Sequence, residues 1–219
     1  MENLTSSAHY DRNYFAWQTP IGEFGGWANQ SKFTPYILET DDVLDFGCGG
    51  GYLIANLRCR SHLGVEVNPA AYAVAKANGI QIYARTEDVP DQSCDIVISN
   101  NALEHTLDPL RELQRLRHKI RNGGRLVFVV PCESISNAYR PNDRNHHLYS
   151  WSPMCIWNLF SEAGYRVVES KPYIHKWPPG YRAIARLGGR FLFDLACRNY
   201  GRIERSWFQV RIIAEKPSI

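Results

Sequence analysis

Two carboxylates and a run of glycines are the groups in this chain best placed to hold a ligand. The stretch VLDFGCGGGYL, residues 43–53, ends an apolar run in Asp45 and then spaces Gly47, Gly49 and Gly51 at every second position. A second apolar run, HLGVEV, ends near Glu66. A glycine turn between a strand and a helix lets backbone approach a ligand closely and points helix N-terminal amides at it. A triphosphate-binding loop would finish in Gly-Lys-Ser/Thr, whereas Gly50 and Gly51 are followed by Tyr52, so phosphoryl transfer is excluded. A dinucleotide fingerprint needs Gly-x-Gly-x-x-Gly; counted from Gly47 the third position is Tyr52, and counted from Gly49 it is Ile54. Glu66, as an acceptor-only carboxylate, could take both hydroxyls of a ribose, which suits any adenosyl ligand without choosing one.

Proton-handling groups come next. Histidine is the natural base near neutral pH, and candidates are His105 in NNALEHTL and His146 or His147 in DRNHHLYSW. Tyr14, Phe15, Trp17, Tyr149 and Trp151 could wall a pocket or simply pack. The six cysteines, at 48, 59, 94, 132, 155 and 197, form no Cys-x-x-Cys pair and read as reduced thiols. Asp143, His146 and His147 form a weak cation trio, but no carboxylate-rich constellation accompanies them, and no metal is expected.

The elements that must position these groups alternate. The aromatic stretch YFAWQTPIGEFGGW is too interrupted by Pro20, Gly22, Gly25 and Gly26 for regular structure, and Ser31 reads as the N-cap of a short helix through KFTPYILE. Together residues 1–40 read as a lid or helical arm. VLDF, HLGVEV, IQIYA, CDIVIS and RLVFVVP read as strands. Between them lie predicted helices at GYLIANLR, at NPAAYAVAKANG with Asn68 as cap and Pro69 at its first position, and at DPLRELQRLRHKI behind Asp108. Such alternation demands a parallel sheet with crossover helices. A long polar and aromatic loop over 132–151 precedes a helix at SPMCIWNLFSEAG, and the strands YRVVES and WFQVRIIAE are separated by an apolar, arginine-rich insertion.

With those motifs in order, the chain resembles the class I S-adenosylmethionine-dependent methyltransferases over about residues 31–170, and within them the small-molecule type. VLDFGCGGGYL is similar to their first motif, GVEVNPAAYAVAKANG to the acidic ribose strand and its helix, ARTEDVPDQSCDIVISNNALEH to the adenine loop and next strand, and IRNGGRLVFVVP to the strand after it. The resemblance implies an α/β fold: a Rossmann-like, seven-stranded, mostly parallel sheet flanked by helices, its last strand antiparallel, with a helical insertion before that strand. It implies S-adenosylmethionine as cofactor, with Gly47, Cys48 and Gly49 lining the methionine portion, Glu66 on the ribose, Val67 on adenine, Thr86 and Glu87 at the adenine edge, and Asn100 beside the methionine group. Where relatives commonly carry Gly-Asp in the adenine loop, this chain has Ala84-Arg85. Asp45 then acquires a reason, because the cofactor's methionine end carries an ammonium and a sulfonium that an acidic neighbour complements, whereas the same residue would disfavour a pyrophosphate. His105 and His147 match histidines of such relatives and are the candidate catalytic residues; Cys48 is a small neutral spacer.

Composition adds limits. The chain has 219 residues and a formal charge of +3, which suits one domain over 1–219 and does not announce nucleic acid. It shows neither a secretory leader nor an apolar run of about 18 residues, so a soluble cytoplasmic protein is expected. The segment 171–205 carries eight Lys and Arg against Asp194 and Glu204, a local excess of +6. It reads as a solvated helix face or as a contact with a phosphate-bearing substrate, a peripheral membrane surface or another subunit. Asn100-Asn101-Ala102-Leu103 stands where base and amide methylases carry an Asn/Asp-Pro-Pro-Tyr-like element. The acceptor is therefore expected to be a small-molecule hydroxyl, with a sugar or polysaccharide precursor as the first guess. A prenylated or lipid-linked acceptor is the alternative, as is a non-catalytic cofactor-binding protein.

Overall fold

A computed structural model describes residues 10–218 except 142, so the first nine residues of the expected arm lie outside the described residues. Seven strands form one sheet: β1 (Asp42–Phe46), β2 (Ser61–Val65), β3 (Gln81–Tyr83), β4 (Cys94–Asn100), β5 (Ile120–Glu133), β6 (Arg166–Tyr173) and β7 (Trp207–Glu215). Their order is β3-β2-β1-β4-β5-β7-β6, and β7 runs antiparallel to both its neighbours while the other pairs are parallel. The order reverses between β1 and β4, and such a switch point opens a crevice at the carboxyl ends of the strands. Asp45, the glycine turn, Glu66 and Asn100 all lie at that end.

Alternate strand residues feed two cores. Leu44, Phe46, Val97, Leu126 and Phe128 pack with Leu113 and Leu116 of α3 (Pro109–Lys119) and Ile156 and Phe160 of α4 (Pro153–Glu162). Val43, Ile96, Ile98, Val127 and Val129 pack with Phe33, Ile54 and Ala75, the last from α2 (Tyr72–Ala77). Period-two alternation sends each set to its own face of the sheet. Asp108 and Ser152 cap α3 and α4 as expected, accepting the Arg111 and Cys155 amides, whereas Asn68 accepts the Ala70 amide at a 3-10 turn, Pro69–Ala71, that leads into α2.

Three local expectations are corrected. The interrupted aromatic stretch is an 18-residue helix, α1 (Arg12–Asn29), with Pro20 inside it and Asp11 capping it by accepting the Tyr14 amide at 2.8 Å. Its Gly22 and Gly26, four residues apart, are close-approach positions: a Cβ on Gly26 would stand 2.2 Å from the Tyr52 carbonyl oxygen. No helix forms at GYLIANLR, where α1 presses on Tyr52 and only a single 3-10 turn, Ile54–Asn56, remains. Ser31 caps nothing; two 3-10 turns, Gln30–Lys32 and Thr34–Tyr36, replace the helix, and they carry the Lys32 side chain inward.

The insertion is helical. It forms α5 (Tyr181–Ile203), broken at Gly189, where φ is +58° and ψ −160°. Phe193 and Cys197 of α5 make a third small core with Ala28, against which Phe24, Trp27, Trp177 and Tyr181 pack. The Arg190 guanidinium donates to the carbonyls of Trp27 and Ala28 and lies 3.9 Å from the centre of the Trp27 ring. Arg182 donates to the Pro20 carbonyl. Part of the local positive charge thus fastens α5 to α1. Among the described residues no helix is long and apolar enough to cross a membrane.

Candidate active site

Gly47, Gly49 and Gly51 have φ of +77°, +53° and +74°, a region other residues enter only with strain. The turn they make is closed on itself. The Gly47 and Cys48 amides both donate to the Val65 carbonyl, at 2.9 and 3.1 Å, and the Gly51 amide donates to the Cys48 carbonyl. The Gly49 amide donates to Glu66 Oε2 at 2.9 Å. Four amides that a phosphate-binding loop would offer to an anion are therefore already spent. What the turn presents instead is negative charge.

Asp45 is 2 % exposed and borders the larger of two cavities at the turn, about 460 Å³ in volume. Burial, and then the charge of Glu66, raises its carboxyl well above the usual range. A buried carboxylate without a cation is costly, so this position awaits a positive group. Glu66 borders the smaller cavity, about 110 Å³, with Val65, Val67 and Ala102. Its Oε1 accepts the Asn68 amide at 2.7 Å, which fixes the carboxylate, and burial raises its pKa against the pull of those amides. Gly47, Gly49 and Asn101, with Phe15 and Gln18 of α1, border both cavities, so one elongated ligand can lie across the glycine turn under α1.

The remaining expected residues separate into groups. Cys48 and Asn100 line the larger cavity, and Val67 the smaller. Burial raises the Cys48 thiol well above its ordinary value, which leaves it a protonated spacer. Thr86 donates to Glu112 of α3 at 2.7 Å, and Glu87 pairs with Arg115 at 2.7 Å; neither lines the two cavities at the turn. Tyr149 and Trp151 stack on one another and join the main core, and Trp17 lies under Arg144, whereas Tyr14 and Phe15 do line the smaller cavity.

His105 borders the smaller cavity, its Nδ1 hydrogen-bonded to the Tyr10 hydroxyl at 2.6 Å. His147 stands behind it, with ring centres 5.0 Å apart, and its Nδ1 meets Glu133 at 2.7 Å. Asp143 instead accepts the Asn145 and His146 amides, so it is committed to a loop turn.

Two groups at the larger cavity escaped the sequence. Lys32, 2 % exposed, donates to Asn100 Oδ1 and Gln209 Oε1, both at 2.9 Å, and burial brings its pKa down to about 7. His175 bonds Asp194 of α5 through Nε2 at 2.9 Å. Its Nδ1 is buried at the larger cavity without a hydrogen-bond partner among the described residues. Lys32 reaches the cavity from a 3-10 turn preceding β1 and His175 from the segment between β6 and α5, and neither was legible as spacing.

Comparison with known proteins agrees with this geometry. A model of the methyltransferase domain family matches residues 12–170. An uncharacterized methyltransferase of Mycobacterium bovis is 31 % identical over 78 % of this chain and 88 % of its own. A ribosomal protein L11 methyltransferase of Cupriavidus taiwanensis is 29 % identical over 59 % of this chain, which spans only 43 % of that relative's length. Among solved structures, a phosphoethanolamine N-methyltransferase of Haemonchus contortus in complex with S-adenosyl-L-methionine superposes with a TM-score of 0.62 at 13 % identity, covering 89 % of this chain and 53 % of that one.

Proposed function

The chain belongs to the class I S-adenosylmethionine-dependent methyltransferases, and from that premise we propose that it transfers the cofactor's methyl group to a hydroxyl oxygen of a small molecule, a sugar or polysaccharide precursor being the first acceptor class to try. The observation that carries the cofactor half of this reading is the pairing of two carboxylates at a glycine turn whose amides are spent. Glu66 takes the ribose hydroxyls, Val67 lies under adenine, and Asp45 meets the ammonium with Gly47, Cys48, Gly49 and Asn100 around the methionine chain. Displacement at the sulfonium methyl needs oxygen, carbon and sulfur in line and a route for the acceptor's proton. His105, at the smaller cavity, and His147 behind it are the candidates to take that proton.

The test is cofactor turnover. S-Adenosylhomocysteine released only when a hydroxyl acceptor is added, and abolished by Glu66→Ala, supports the reading. Tight cofactor binding with no transfer across glycan, phenolic and lipid acceptors contradicts it and favours a binding protein.

A lipid-linked acceptor is the second reading, favoured by one observation. On α5, Leu187 and Phe191 are 88 % and 73 % exposed beside Arg186. Apolar side chains among basic ones suit the surface of an anionic bilayer. Co-flotation with vesicles containing anionic lipid, lost in Leu187→Ser/Phe191→Ser, supports that contact; equal recovery with neutral vesicles contradicts it.

A further inference from the structure

Glu104 is fully buried, and neither of its carboxylate oxygens has a hydrogen-bond partner among the described residues. An ionised carboxylate does not remain buried and unpaired without cost. Two imidazoles face it: Nε2 of His105 and Nε2 of His147 lie 3.9 and 4.0 Å from the same oxygen, Oε1. Those distances are too long for hydrogen bonds. Oxygen and ring nitrogens all fall within 4.8 Å of one another. We propose that Glu104, His105 and His147 bind a divalent cation of the zinc and manganese class.

The chemistry of the donor set fits. Two imidazoles and one carboxylate are borderline ligands that such cations accept, and they leave coordination positions open. Bond lengths near 2.0–2.2 Å place neighbouring ligands about 3–3.5 Å apart, so each imidazole must close on Oε1 by about 0.5–1 Å, and a pair at the 4.8 Å limit by about 1.3–1.8 Å. The outer partners that metal-bound histidines need are present. Glu133 holds His147 Nδ1, Tyr10 holds His105 Nδ1, and each leaves Nε2 pointed at Glu104. The Leu148 amide donates to the Glu104 carbonyl at 2.9 Å, which anchors the loop that delivers His147. Sequence spacing showed Asp143, His146 and His147 as a weaker trio; the ligating carboxylate comes instead from Glu104, some forty residues earlier in the chain and adjacent to His105.

The experiment is calorimetric titration of Zn²⁺ and Co²⁺ into the untagged full-length chain, with Co²⁺ absorption as a second readout, in wild type, Glu104→Gln and His147→Asn. Each sample is also titrated with S-adenosylhomocysteine. One equivalent bound by wild type and weakened roughly 100-fold in both variants, with S-adenosylhomocysteine binding retained, is the expected result. No stoichiometric uptake by wild type, or uptake unchanged in both variants, overturns the site. Metal uptake without S-adenosylhomocysteine binding would sink the methyltransferase reading and leave the metal site standing.

Discussion

Glu66 Oε2 accepts the amide of Gly49 at 2.9 Å, so the carboxylate at the end of β2 is locked to the glycine turn after β1. One side chain both closes the turn and presents acceptors to a ligand. The turn and the proposed ribose contact are therefore a single unit, preorganised before the ligand arrives. Replacing Glu66 loosens both.

In the proposed site, Asp45 is expected to make cofactor binding dependent on pH. Its carboxyl holds a proton above the usual range because it is buried beside Glu66, whereas the cofactor's ammonium favours the ionised form. Affinity for S-adenosylmethionine is expected to rise with pH on the acid side and level off once Asp45 is ionised in the free protein. Asp45→Asn is expected to bind about 10–100-fold more weakly, from the loss of one charge-assisted hydrogen bond and its field, and to lose that rise. Calorimetry over a pH series checks both; a parallel rise in the variant would assign the titration elsewhere.

Gly25 and Gly26 are neighbours on α1 with opposite expectations. A Cβ at 26 meets the Tyr52 carbonyl at 2.2 Å, while one at 25 meets nothing nearer than 3.5 Å. Gly26→Ala is expected to destabilise by ~1–3 kcal/mol through overpacking, despite a helix-propensity gain of about 1 kcal/mol, and to weaken cofactor binding as α1 lifts from the turn. Gly25→Ala is expected to stabilise by about 0.5–1 kcal/mol. Thermal unfolding of the two variants tests the docking of α1; equal shifts would contradict it.

Lys32 gives stability a slope on the alkaline side. Burial lowers its pKa from 10.5 to about 7, so between those values the unfolded chain takes up a proton that the folded chain refuses. Stability is expected to fall as pH drops from 10.5 toward 7, by up to about 1.4 kcal/mol per pH unit, and this contribution is flat below pH 7. Lys32→Met should remove that slope while leaving Asn100 and Gln209 without their donor. Urea unfolding of both proteins between pH 7 and 10 measures it.

These effects show where sequence reading succeeded and where it stopped. The strands, the helix α2 and the capped helices α3 and α4 were legible because each pairs a period with a local stop signal. Gly47, Gly49 and Gly51 were legible because positive φ leaves few alternatives. α1 was hidden: Gly22 and Gly26 look like helix breakers, yet they serve close approach to Tyr52, a tertiary contact that local propensity cannot contain. GYLIANLR carries a helical pattern, but α1 presses on its first residue. Glu104 was passed over because an acidic residue beside a histidine is ordinary until His147 arrives from a distant loop.

The central claim is that the Asp45–Glu66 glycine turn is an S-adenosylmethionine site, and calorimetric titration of S-adenosylmethionine and S-adenosylhomocysteine into wild type and Glu66→Ala tests it most directly. Binding to wild type, weakened roughly 100-fold in the variant by loss of two charge-assisted hydrogen bonds to ribose, is the predicted result. Folded wild-type protein that binds neither compound, or a variant that binds both as well as wild type does, would contradict it.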